Sequence, residues 1–181
     1  MKKTKMIKNK FDGLHWIYKR ERIVKADYPE CCSYGPVSWE DPFKWRGVII
    51  GPPGSPYEDG VFDLSIDLPP DYPSNPPTFK FLTKIFHPNI DEDGNIYVDI
   101  LEKDQWKPIH TIESLMLSIT SLLTDPNPID TRIVSCFVYR NDIFQFYKTA
   151  REWTKWYAME LVQEGSFSKS FSGLHLEENC N

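Results

Sequence analysis

The sequence predicts an α+β domain: an amphipathic helix, a meander of four antiparallel strands, a long irregular loop, and helices toward the C-terminal end. Three observations predict it. Phe62-Asp63-Leu64-Ser65-Ile66-Asp67-Leu68 alternates strictly between apolar and polar residues, the period-2 signature of a strand with one face buried. Ile112, Leu115, Ile119, Leu122 and Leu123 instead fall on one helical face. The pairs Gly51-Pro52 and Pro69-Pro70 separate the strand-forming runs with turns.

In chain order, Ile7, Phe11, Leu14 and Tyr18 recur at helical spacing, Ile17 and Val24 continue an adjacent stripe, and Asp27-Tyr28-Pro29 ends the helix. The plain reading of its Lys and Arg residues is a solvated face. Val37 to Trp39, Phe43 to Ile50, the alternating run from Phe62, and Phe79 with Phe81 supply four strands, one face covered and one available. Thr111 is placed to cap a helix that Pro126 stops. A short apolar helix is expected near Ile133 to Val138. The last helix begins at Asn141 or Asp142, where Asp142-x-x-Gln145 resembles a capping box, and carries Ile143, Tyr147, Ala150 and Tyr157 as its stripe. Phe144, Phe146, Trp153 and Trp156 read as packing residues. The expected organisation is one core over residues 1–158 with a basic N-terminal helix, and a flexible tail over 159–181.

Composition narrows the function. A chain of 181 residues, 40% hydrophobic and 26% charged, is an ordinary globular domain with no run apolar enough to span a bilayer. Met1 to Lys25 holds nine Lys and Arg against Asp12 and Glu21, which leaves 12 basic and 24 acidic residues in the remainder of a chain of net charge −5. An acidic body argues against nucleic-acid binding, while the basic first segment suits an acidic partner. Cys31, Cys32, Cys136 and Cys180 show no metal-ligand spacing, adjacent Cys31-Cys32 is a poor disulfide pair, and reduced thiols point to the cytoplasm or nucleus. No cofactor, metal or membrane contact is expected.

The loop from His87 to Leu101, His-Pro-Asn-Ile-Asp-Glu-Asp-Gly-Asn-Ile-Tyr-Val-Asp-Ile-Leu, keeps neither helical nor strand periodicity. Ordered irregular loops usually carry function. Its residue types suit acyl transfer: the amide of Asn89 can donate to a developing oxyanion, Asp93-Gly94 makes a turn, and Tyr97 follows, flanked by Val98 and Asp99.

Here the chain resembles the ubiquitin-conjugating enzymes, whose signature is His-Pro-Asn followed by Gly-x-Ile-Cys-x-Asp-Ile-Leu. The same frame reads Gly94-Asn95-Ile96-Tyr97-Val98-Asp99-Ile100-Leu101, so the nucleophilic cysteine of the family falls on Tyr97. The resemblance runs from about Ile17 to Ala158. Its markers include Cys32-Ser33-x-Gly35-Pro36, Trp45, Ser55-Pro56-Tyr57-Glu58-x-Gly60, Asp71-Tyr72-Pro73, Trp106-x-Pro108, Asp125-Pro126-Asn127-Pro128 and Arg151-Glu152-Trp153.

The resemblance implies the family fold, with ubiquitin or a ubiquitin-like protein, an activating enzyme bound partly through the first helix, RING-type ligases, and an active conjugating enzyme as partners. A phenol suits the expected chemistry poorly. A thiol of pKa about 8.5 is a few per cent thiolate at neutral pH, whereas a phenol of pKa about 10 is roughly 0.1% phenolate. The Tyr97 hydroxyl also stands several bonds farther from the backbone than a sulfur would, away from the Asn89 oxyanion donor.

By resemblance, Asn89 matches the family's oxyanion and loop-bracing asparagine, and its plain reading is a side chain that hydrogen-bonds the local backbone. Asp130 matches an acid that orients or deprotonates the attacking lysine, and reads equally as a helix N-cap. Asp99 is expected as a loop brace and His87 as structural. Phe81, Trp106 and Pro108 match the two loops presented to ligases, with Lys107 and Ile109 replacing small residues. Ser33 matches the back surface that holds a second ubiquitin without a covalent bond. The expected function is an inactive family member acting as cofactor, scaffold or decoy. The alternative is an active conjugating enzyme whose cysteine is substituted in this copy or which uses an unusual nucleophile. A structural domain that has left the pathway is the third reading.

Overall fold

The computed structural model describes residues 17, 20–21, 31–38, 40–128 and 133–159. Ile17 and Arg20 are helical and Ile17 is buried. The remainder of the expected first helix, Asp130, Cys180 and the tail beyond Met159 lie outside the described residues.

Four strands form one antiparallel sheet in sequence order: β1 (Cys32–Ser38), β2 (Asp41–Ile50), β3 (Val61–Asp67) and β4 (Thr78–Phe81). Register places Cys32, Ile49 and Phe62 in one cross-strand row, and Tyr34, Gly47, Leu64 and Phe81 in another. Those rows are the buried face. Phe62, Leu64 and Ile66 are wholly buried, as the alternation of β3 requires, and each such side chain contributes about 1.5–3 kcal/mol by leaving water. The intervening rows, including Ser33, Val48 and Asp63, form the outer face, where Lys44 pairs with Asp67 at 2.7 Å and Arg46 with Asp63 at 3.4 Å. Exposed pairs of this kind add little stability.

Helix α1 (Ile112–Thr124) covers the buried face. Thr111 caps it, its Oγ1 accepting the Ser114 N–H while Ser114 Oγ accepts the Thr111 N–H. Ile112, Leu115, Met116, Ile119 and Leu123 face the core, and the helix ends one residue before Asp125-Pro126. Close contact with β2 is possible because Gly47 has no side chain: a Cβ there would lie 2.9 Å from Met116 Cε.

Helix α2 (Val134–Asn141) and helix α3 (Ile143–Tyr157) follow, with Asp142 accepting the Gln145 N–H at 2.9 Å to cap α3. The buried stripe of α3 is Phe146, Ala150 and Thr154, which corrects the expected one: Ile143, Tyr147 and Tyr157 are each more than a third exposed. Phe146 meets Tyr139 edge-on at 4.9 Å and leans on Phe86 at 5.8 Å, and those contacts choose the inward face. Phe144 and Trp156, expected as packing, each lie over a quarter turn from that face and are exposed. Trp153 does pack, against Phe86. Among the described residues no helix is long and apolar enough to cross a membrane.

Candidate functional site

The loop after β4 begins with a buried hub. His87 is wholly buried, its Nε2 2.9 Å from the Leu122 carbonyl and its Nδ1 3.0 Å from the Asn89 N–H. A carbonyl can only accept and an amide N–H can only donate, so the neutral tautomer with hydrogen on Nε2 is the one that satisfies both. Burial pushes the imidazole pKa down to about 4, with the Leu122 bond opposing. The backbone carbonyl of His87 also accepts Ser135 Oγ at 2.7 Å. His87 is thus a structural junction between the loop, α1 and α2.

Asn89 continues the bracing. Its Nδ2 donates to the carbonyls of Tyr97 and Asn127, and its Oδ1 accepts the Asn127 N–H at 3.1 Å. The Tyr97 N–H returns to the Asn89 carbonyl at 2.8 Å. With 1% exposure and both amide hydrogens engaged, Asn89 holds the loop to the segment leaving α1. Donation to an oxyanion would require one of those bonds to break.

Beyond Asn89 the loop folds on itself around Asp91. Asp91 Oδ1 accepts the Asn95 N–H at 2.8 Å, and Oδ2 accepts Asn95 Nδ2 at 2.8 Å and the Tyr97 hydroxyl at 3.0 Å. Burial alone would raise the Asp91 pKa, but these donors outweigh it and the group is held below its ordinary value. Gly94 makes the turn possible, with φ of 85° and its carbonyl accepting the Phe81 N–H at 2.9 Å. A Cβ at Gly94 would lie 2.1 Å from the Phe81 carbonyl oxygen. The turn therefore seats the loop on the edge of β4 and presents Tyr97, half-buried, with its hydroxyl committed to a carboxylate.

Asp99 is exposed in the first turn of a short 3-10 helix (Asp99–Leu101), where its backbone carbonyl accepts the Glu102 N–H. Three thiols lie among the described residues, and Cys31, just before β1, is half-buried. The Cys32 thiol is pushed up to about 12, first by burial and then by Cys31, and Cys136 is wholly buried.

Two expected partner residues require correction. Phe81 is an inward residue of β4, 3% exposed and edge-on to Phe62, so it is not the exposed aromatic expected there. Trp106 is also buried, its Nε1 donating to the Pro73 carbonyl at 2.8 Å and its ring leaning on Tyr72. Pro108 is exposed, as is Ile109 at 79%, so this loop presents an aliphatic side chain in place of the aromatic one. Ser33 is half-buried on the outer face of the sheet.

The sequence reading missed what fixes this loop. Arg20 donates to the carbonyls of Pro108 and His110, while Glu21 accepts the Ile112 N–H at 2.9 Å and the Tyr72 hydroxyl at 2.8 Å. Burial raises the Glu21 pKa against those bonds. The stripe of Ile17 and Val24, which brackets positions 20 and 21 at helical spacing, was the available signal. Asp91 was likewise missed; its position four residues before Asn95, across the Asp93-Gly94 turn, was the available signal.

Among the described residues, no group of three or more His, Cys, Asp or Glu side chains is placed to hold a metal ion. Residues 17–154 match the family model described as Ubiquitin-conjugating enzyme, a span that includes the sheet, the loop, α1, α2 and most of α3.

Proposed function

The chain belongs to the ubiquitin-conjugating enzyme family, and from that premise we propose that it acts by binding, as a catalytically inactive cofactor, scaffold or decoy in ubiquitin or ubiquitin-like protein conjugation. The observation that carries this reading is the Tyr97 hydroxyl donating to Asp91 at 3.0 Å, in the position where the family signature has cysteine. An acyl carrier there must be a good nucleophile and a good leaving group, and a phenol committed to a carboxylate is neither. Asn89 serves in this reading as a loop brace, and Asp99 as part of the turn that follows. Asp130 keeps its two sequence-based roles, general base or helix cap.

Binding is assigned to the surfaces that remain open. The outer sheet face around Ser33 would take ubiquitin or a ubiquitin-like protein without a covalent bond. Pro108 and Ile109 would meet a RING-type ligase, with Arg20 and Glu21 holding their loop in place. The activating enzyme and an active conjugating enzyme are the other partners of this reading, and the cytoplasm or nucleus is its compartment.

Reconstitution tests it. Added to a reaction containing activating enzyme, ATP, ubiquitin and an active conjugating enzyme, the protein should change the rate or linkage of product formation while carrying no ubiquitin itself. A thiol-cleavable ubiquitin adduct on this chain would overturn the reading. The intact bracing around Asn89 favours a second reading, an enzyme whose cysteine is substituted in this copy, and Tyr97→Cys addresses it. Charging of that variant would mean that the rest of the transfer machinery is in working order.

A further inference from the structure

The outer face of α3 carries a pattern used neither by the core nor by the proposed function. Phe144, Lys148, Arg151 and Lys155 fall at i, i+4, i+7 and i+11, a row about 16 Å long. All four are exposed, Phe144 at 86%, and Tyr147, one turn from Phe144 and 40% exposed, widens the aromatic end. None of the three cations forms an ion pair with another described residue. They are also poor neighbours for one another: Lys148 with Arg151 and Arg151 with Lys155 are like-charge pairs at i+3 and i+4, each costing an isolated helix about 0.2–0.5 kcal/mol. A row of cations ending in an exposed phenylalanine, in a chain of net charge −5, is a local reversal of charge with an apolar anchor attached.

We propose that this face docks an acidic segment of a partner protein, with carboxylates about 6 Å apart along the row and an apolar side chain against Phe144. Arg and aromatic side chains are the residue types that most often dominate interface energies. The width of the row favours a narrow segment over a lipid sheet or a nucleic-acid duplex. Exposed Asp142 and part-exposed Glu152 flank it, and either broad anionic surface would have to approach them as well. The site is independent of Tyr97, so the proposed function and this inference can fail separately.

The probe is a fluorescein-labelled synthetic peptide with a leucine followed by three glutamates at 4-, 3- and 4-residue spacing, compared with a scrambled peptide of the same composition. With the full chain, the ordered peptide should bind saturably and more tightly than the scrambled one, and amide shifts should concentrate on residues 144–155. Arg151→Glu should weaken binding at least tenfold and Phe144→Ser at least threefold, with unchanged circular dichroism. Raising NaCl should weaken it further. Tyr97→Cys should leave it unchanged. The proposal is overturned by the absence of saturable binding, by equal affinity for the scrambled peptide or for Arg151→Glu, or by shifts centred elsewhere. Tighter binding to phosphatidylserine vesicles or to an oligonucleotide duplex than to the peptide overturns it as well.

Discussion

The two halves of the loop after β4 are held by different chemistry. From His87 to Asn89 the polar side chains are buried and reach groups 35 or more positions away, at Leu122 and Asn127, Asn89 also holds the Tyr97 carbonyl, and the His87 carbonyl receives Ser135. Among the described residues, Asn95 and the Tyr97 hydroxyl instead bond Asp91, within six positions, through one part-exposed carboxylate. The first half ties the fold together. The second half displays whatever residue stands at position 97, and a change there need not disturb α1 or the sheet. This separation lets the family fold accommodate the phenol of Tyr97.

The largest expected effect lies in the first half. Asn89→Ala removes three hydrogen bonds to part-buried backbone groups of Tyr97 and Asn127, so urea denaturation should give a loss of about 3 kcal/mol. A similar size is expected on acidification. The pKa of His87 in the fold, about 4, lies below its unfolded value near 6.5, so the unfolded chain takes up the proton first. Stability should therefore fall as pH drops from about 6.5 to 4, by about 3 kcal/mol from this residue. Glu21, raised by burial, works in the opposite sense because the fold favours its protonated form. The difference in pH dependence between the parent and His87→Gln isolates the histidine, and the variant should lack the decline.

Effects in the second half should be smaller. Tyr97→Phe removes one bond to a part-exposed carboxylate and should cost about 1 kcal/mol or less. Asp91 should then titrate closer to its ordinary value, since one donor that lowers it is gone, and carboxyl NMR titration would read the change. A Tyr97→Phe loss as large as that of Asn89→Ala would erase the distinction between the halves.

Much of the scaffold was legible because local signals and packing agree. The alternation of β3 names its buried face without help, and Thr111 caps α1 where the sequence places a cap. On α3 the signal was ambiguous. With apolar or aromatic residues at 143, 144, 146, 147, 150, 153, 156 and 157, more than one helical stripe could be drawn, and contacts from Phe86 and Tyr139 selected the one through Phe146. The candidate site was legible as a frame but not as a network. Position 97 could be read by spacing, whereas the Asp91 bond depends on how the Gly94 turn brings residue 97 back over residue 91. Phe81 and Trp106 failed as surface anchors for a related reason: an aromatic near a proline does not say which way it points, and β4 register and the Pro73 carbonyl turn both inward.

The central claim is that this chain keeps the family frame while its residue 97 cannot carry the modifier. Intact-mass measurement of the full chain, after incubation with activating enzyme, ATP and ubiquitin, tests it most directly. The account predicts the unmodified mass before and after reduction, while an added ubiquitin mass that disappears with dithiothreitol would contradict it.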